Sequence, residues 1–198
     1  ASFRGDLLQM EGSLGDLSRW VNGDPALISV KYNFGDMRGE LSGSVGQIFT
    51  DGSFSLGCTL YGDHFATVAD VLKLDSAIET ESFWLEGQLE GSWANISFER
   101  VVGNVTGRDF EIDFTGSILD VFRNNVVEMK LRASSTAFSF MDSLGSEFSS
   151  LDGITSLNAQ LYRGPKKSLE LRDLNVSSIS SVFAVTATGE VSALGTRP

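Results

Sequence analysis

The chain has 198 residues, 41% of them apolar and 21 of them glycine. That is too oily for a disordered chain, and the length suits one large domain or a row of small repeats. Fifteen basic against 26 acidic residues leave a net charge of −11, which repels phosphate backbones and argues against nucleic-acid binding. A single cysteine excludes an internal disulfide and the usual thiolate zinc sites.

Taken in chain order, residues 7–12 predict a strand, and Leu14, Leu17 and Val21 a short helix. Asn22-Gly23-Asp24-Pro25 breaks the chain after it. Met37, Leu41 and Val45 then keep one phase with Gly39 and Gly43, with mostly polar residues between them. This is the pattern of a strand with one oily and one wet face. Asp51-Gly52 is a hairpin-turn pair, because both residues tolerate positive φ. Phe54, Leu56, Cys58 and Leu60 form a second alternating strand, in which Cys58 reads as a small buried hydrophobe. At Phe65, Val68 and Val71 the spacing becomes three, which marks a short helix.

Seventy-three residues on, the same pattern returns in the same phase. Leu85 to Leu89 opens the second copy as a strand. Phe110, Ile112, Phe114 and Ile118 flank Gly116, and Asn124-Asn125 stands where Asp51-Gly52 stood. Val127, Met129, Leu131 and Ala133 alternate next, followed by Phe138, Met141 and Leu144 at helical spacing. Phe148, Leu151 and Ile154 keep that spacing and prolong the helix. Leu157 to Leu161 opens a third copy, and Phe183, Val185 and Val191 surround Gly189. A small basic turn, Arg163-Gly164-Pro165-Lys166-Lys167, reads as a solvated loop.

A fixed period of this size means one supersecondary unit stacked on copies of itself. The copies run over residues 10–82, 83–155 and 156–198, the last incomplete, in a single repeat-built unit spanning 1–198. The expected fold is mainly β: a curved, antiparallel, repeating sheet with short interspersed helices. Gly43, Gly116 and Gly189 recur at matching points of the apolar face and predict a common bend that turns the sheet into a trough. The chain lacks an initial methionine and ends on Thr196-Arg197-Pro198, which reads as a segment of a longer protein.

Little here carries catalysis. His64 is the lone histidine, in a turn, and no nucleophile elbow, phosphate loop or metalloprotease motif is present. Three acidic pairs stand out: Glu86 with Glu90, Asp70 with Asp75, and Glu111 with Asp113. The last alternates with Phe110, Ile112 and Phe114, which puts it on the wet face. No calcium loop appears. The reading is therefore non-enzymatic, with no cofactor and no metal. Acceptor triplets begin at Asn95, Asn104 and Asn175 and matter only in a eukaryotic secretory protein.

What remains is the apolar face itself. Copy one contributes Met37, Leu41, Val45, Phe54, Leu56 and Leu60. Copy two adds Phe110, Ile112, Phe114, Ile118, Val127, Met129 and Leu131, and copy three Phe183, Val185 and Val191. Two readings stand open. The face is sealed, as in a structural or adhesive extracellular β-repeat with a closed core. Alternatively it stays partly uncovered and holds acyl chains.

Several runs resemble one family. Leu14-Gly15-Asp16-Leu17-Ser18-Arg19-Trp20 and Phe65-Ala66-Thr67-Val68-Ala69-Asp70-Val71-Leu72 look like its short helices after a glycine-ended strand. The run from Phe83 to Trp93, then Ile96-Ser97-Phe98-Glu99, then Phe110 to Ile118 is similar to its strand succession. This is the pattern of AsmA-like proteins of Gram-negative bacteria, and it covers most of the chain. The resemblance implies a periplasmic location and an inner-membrane anchor in a segment not present here. It also implies a repeating β-groove that passes phospholipid between inner and outer membranes, with no catalytic residues.

Overall fold

The computed structural model describes residues 2–3, 6–46, 52–63, 80–92, 94–121, 123, 125–137, 152–164, 168–180 and 184–194. Alternating runs become strands throughout. They are β1 (Ser2–Phe3), β2 (Asp6–Leu14), β3 (Ala26–Phe34), β4 (Met37–Val45), β5 (Ser53–Gly62) and β6 (Ser82–Ser92). The succession continues through β7 (Asn95–Thr106), β8 (Phe110–Leu119), β9 (Val126–Ala137), β10 (Asp152–Arg163), β11 (Leu169–Ile179) and β12 (Ala184–Leu194). Each pairs antiparallel with the next, so strand order in the sheet equals order in the sequence. The result is one open, curved, up-and-down sheet, as the alternation predicts.

The sheet repeats in its hydrogen-bond register as well as in its sequence. Ile28 faces Gly43, which faces Leu56. Seventy-three residues on, Val101 faces Gly116, which faces Met129. In the third copy Leu174 faces Gly189. The turns repeat too. Gly52 (φ 56°) and Asn125 (φ 44°) are equivalent positions, both in the left-handed region where Gly and Asn are tolerated.

The helix expected around Leu17 is α1 (Leu17–Val21). Asp16 caps it, accepting the Ser18 backbone N–H at 2.9 Å. Trp20 donates its indole N–H to the Gly46 carbonyl at 2.9 Å, tying the helix to the end of β4. The chain leaves the helix through Gly23 at φ 103°, inside the expected breaker. The helices expected at Phe65–Leu72 and Phe138–Leu144 lie outside the described residues, as do Phe148, Leu151, His64, Asp70 and Asp75. Ile154, expected to prolong the second helix, instead lies in β10, where it pairs with Ile179.

The repeated glycines share a backbone conformation in two copies and not in the third. Gly43 (φ 153°) and Gly116 (φ 159°) both sit at positive φ. A Cβ on either would run into the neighbouring strand, at the carbonyl oxygens of Ser55 and Glu128 respectively. Gly189 does not share that conformation and has open space around it. The reason is position: Gly43 and Gly116 each have a further strand on their far side, while β12 is the outermost strand.

A second irregularity interrupts the second and third copies. Arg100 in β7 (φ 52°) and Asp173 in β11 (φ 50°) are left-handed and stand 73 residues apart. At each, the pairing register slips on both neighbouring strands, the mark of a β-bulge. β3, the equivalent strand of the first copy, pairs without interruption.

Candidate functional site

Residues facing each other across antiparallel strands point to the same side of the sheet. The register therefore tests whether the apolar residues of three copies share one face. One row runs Leu14, Ile28, Gly43, Leu56, Leu89, Phe98, Ile118, Val127, across eight strands. A second runs Tyr32, Gly39, Leu60, Leu85, Gly103, Phe114, Leu131, Ala159. A third runs Gly116, Met129, Leu161, Leu171, Val191. By the same pairings Met37, Leu41, Val45, Phe54, Phe110, Ile112 and Val185 fall on that side. Phe183 lies outside the described residues.

The bulges preserve this arrangement. In β7, Ile96 and Phe98 occupy even positions on the apolar side, whereas Val101, Gly103 and Val105 occupy odd ones. The extra residue at Glu99-Arg100 absorbs the change of phase, so the oily face stays continuous.

Burial grades along the face. Its centre holds a buried cluster of Phe98, Val101, Ile118 and Val127, with Leu85, Leu89, Phe114, Met129 and Leu161 packed around it. Val45 and Phe54 are also buried. Met37, Leu41, Leu56, Leu60, Phe110, Ile112 and Leu131 are half-buried. At the margins the face opens: Met10 is 61% and Val185 54% exposed. Among the described residues no second sheet lies over it.

Glycines thin this lining. Rings from facing or adjacent positions fill the space that a side chain would take at several of them. Tyr32 does so at Gly39, Phe83 at Gly62, Phe98 at Gly87 and Phe114 at Gly103. Such aromatic cover of strand glycines supports the backbone where no side chain packs. The sequence signal was present as glycines in phase with the apolar residues, but which ring covers which glycine follows only from register.

Cys58 lies on this face, half-buried, with its sulfur 4.0 Å from the Tyr32 hydroxyl. Burial raises its thiol pKa, and the Tyr32 contact only partly offsets this. Burial likewise raises the Tyr32 phenol, with Cys58 adding to the effect. Tyr32 also donates to the Thr59 carbonyl at 3.1 Å. The thiol thus packs as a small apolar group on this face.

The opposite face is polar. Glu111 and Asp113 are exposed, as their alternation predicts, and both accept hydrogen bonds from the Asn104 amide at 2.9 Å. That occupies Asn104, which is 8% exposed, so its acceptor triplet is a structural joint in the sheet. Glu90 pairs with Arg100 at 3.0 Å. Gln88 donates to the Ser55 hydroxyl at 2.8 Å. No group of three metal-ligating side chains forms among the described residues. Shallow clefts do open on this polar side. One of about 560 Å³ lies among Lys31, Asn33, Arg38, Glu40 and Tyr61, and one of about 420 Å³ among Asp113, Lys130, Arg132, Asn158 and Asp173. Both mix acidic and basic side chains. Compared with known protein families, curated proteins and solved structures, the chain matches none.

Proposed function

We propose that this chain is a non-enzymatic lipid-binding segment whose apolar face holds the acyl chains of phospholipids. The observation that carries the reading is the continuity of that face. Facing apolar and glycine residues run from β2 to β12, buried at the centre and increasingly exposed toward both margins. A fully closed core would seal those side chains, yet Leu41, Leu56, Ile112 and Leu131 remain partly open. Each acyl methylene moved from water onto such a surface gains up to roughly 0.8 kcal/mol. Binding of this kind needs no headgroup chemistry. Headgroups would stay toward water at the sheet margin.

The resemblance to AsmA-like proteins supports placing this conduit in the periplasm, passing phospholipid between inner and outer membranes through contacts made outside this segment. The test is native mass spectrometry of the chain after export to a bacterial periplasm. Phospholipid adducts are expected on the wild type and on Lys130→Glu, which changes the polar face. Ile112→Asp and Met129→Glu should lose most of the lipid while circular dichroism still reports strand. A bare chain that takes up no added phospholipid would sink the reading.

A further inference from the structure

We propose that the polar face carries a binding site of its own, an aromatic platform for an uncharged, extended, β-linked glycan. The site lies on the side of the sheet that the lipid reading leaves unused, and it is independent of that reading. One row of the register carries it. Asn33 faces Arg38, Arg38 faces Tyr61, Tyr61 faces Trp84 and Trp84 faces Asn104. Beyond Asn104 the row passes through Asp113, Arg132 and Asn158. Of these residues only Asn104 is buried.

Tyr61 and Trp84 put two rings side by side on this wet face. They are 45% and 37% exposed, and among the described residues neither ring stacks on another or makes a hydrogen bond. Facing side chains have Cβ atoms about 5 Å apart, so the two rings form one apolar step. A pyranose ring matches such a step. Its C–H face packs on an aromatic ring, while its equatorial hydroxyls project sideways to polar groups. Neighbouring strands lie about 4.8 Å apart, close to the advance of one sugar along an extended β-linked glycan. A glycan laid along the row therefore meets a new strand with each sugar, whereas a coiled, α-linked one leaves the row.

The two clefts of the polar face supply partners for the hydroxyls, one on each side of the rings. The first brings Lys31 and Arg38 together with Glu11 and Glu40, and the second Lys130 and Arg132 with Asp113 and Asp173. Each holds two cations and two carboxylates, on a molecule whose net charge is −11. Such local neutrality suits an uncharged ligand better than an acidic polymer. Lys31 faces Glu40 and Arg132 faces Asp113, yet neither pair closes into a salt bridge. These groups stay open to sugar hydroxyls, which both donate and accept. At about 560 and 420 Å³ the clefts are of ligand-binding size.

Isothermal titration calorimetry of the full chain with cellohexaose and with chitohexaose tests the site, alongside tryptophan emission. At least one of these hexaoses should bind and shift the emission, and the tighter of the two names the sugar. Trp84→Ala and Tyr61→Ala should each weaken binding by about tenfold or more, with circular dichroism unchanged. Trp84→Phe, which keeps a ring, should recover most of the loss. The α-linked maltohexaose and an acidic galacturonate oligomer should bind at least about tenfold more weakly. Three results overturn the proposal. They are no response to either β-linked hexaose at about 10 mM, unchanged affinity in both alanine variants, or equal binding of either control sugar.

Discussion

Two chemically different side chains, Tyr32 and Cys58, lie against one another on the oily side of the sheet, and both hold their protons more tightly than they would in water. Each is neutral when protonated, so the folded state binds protons that the unfolded chain releases first. Their contribution to stability is therefore present below the ordinary thiol value of about pH 9 and is lost as pH rises beyond it. Urea midpoints should be flat from neutral pH to about pH 8.5 and should fall above it. The double variant Tyr32→Phe with Cys58→Ala should make that fall shallower. An unchanged slope would show that the pair is not desolvated. Glycine makes the second case at this scale. Gly116→Ala should cost about 1–3 kcal/mol, combining left-handed strain with a clash at the Glu128 carbonyl. Gly189→Ala should change stability by less than about 0.5 kcal/mol. Equal costs in urea melts would remove the distinction. The sequence announced all three glycines alike, because spacing carries no knowledge of whether a further strand sits alongside.

Among the elements, strands were legible and bulges were not read, although their signal was there. Alternation breaks at Phe98-Glu99-Arg100-Val101 and again at Leu171-Arg172-Asp173-Leu174, where two charged residues stand together between apolar ones. An ordinary strand would carry one polar residue there, and a second shifts the phase by one. The left-handed residue at each site carries a side chain that prefers otherwise, so glycine should fit better. Asp173→Gly and Arg100→Gly should each stabilise by up to about 1 kcal/mol. The Arg100–Glu90 pair is largely exposed and offsets only a few tenths. Destabilisation by both substitutions would mean that the bulges do not hold these conformations. The short helix at Leu17–Val21 was readable from Leu17 and Val21, but Leu14, expected in it, closes β2 opposite Ile28, and the attachment of the helix was not readable. The Trp20 bond to Gly46 joins residues 26 apart, and no local pattern encodes it.

For the molecule as a whole, the repeat decided the architecture. A unit that recurs with its phase intact pairs each strand with its sequence neighbour and keeps every oily residue on one side, so order and register were both implicit in the alternation. What alternation could not supply was the gradient of burial. Met129 and Val185 look equivalent as sequence, yet one packs beside the central cluster and the other is 54% exposed on the last strand. That gradient follows from the curvature of the sheet and from where it stops, which are properties of the assembled strands. The central claim is that hydrocarbon reaches this graded face and avoids the polar one. Photocrosslinking with a phospholipid carrying a diazirine in its acyl chain tests it most directly, with adducts mapped by peptide mass spectrometry. The account predicts adducts at Leu41, Ile112 and Met129 and none at their polar neighbours Ser42, Asp113 and Lys130. Adducts spread evenly over both sets, or no adducts at all, would contradict it.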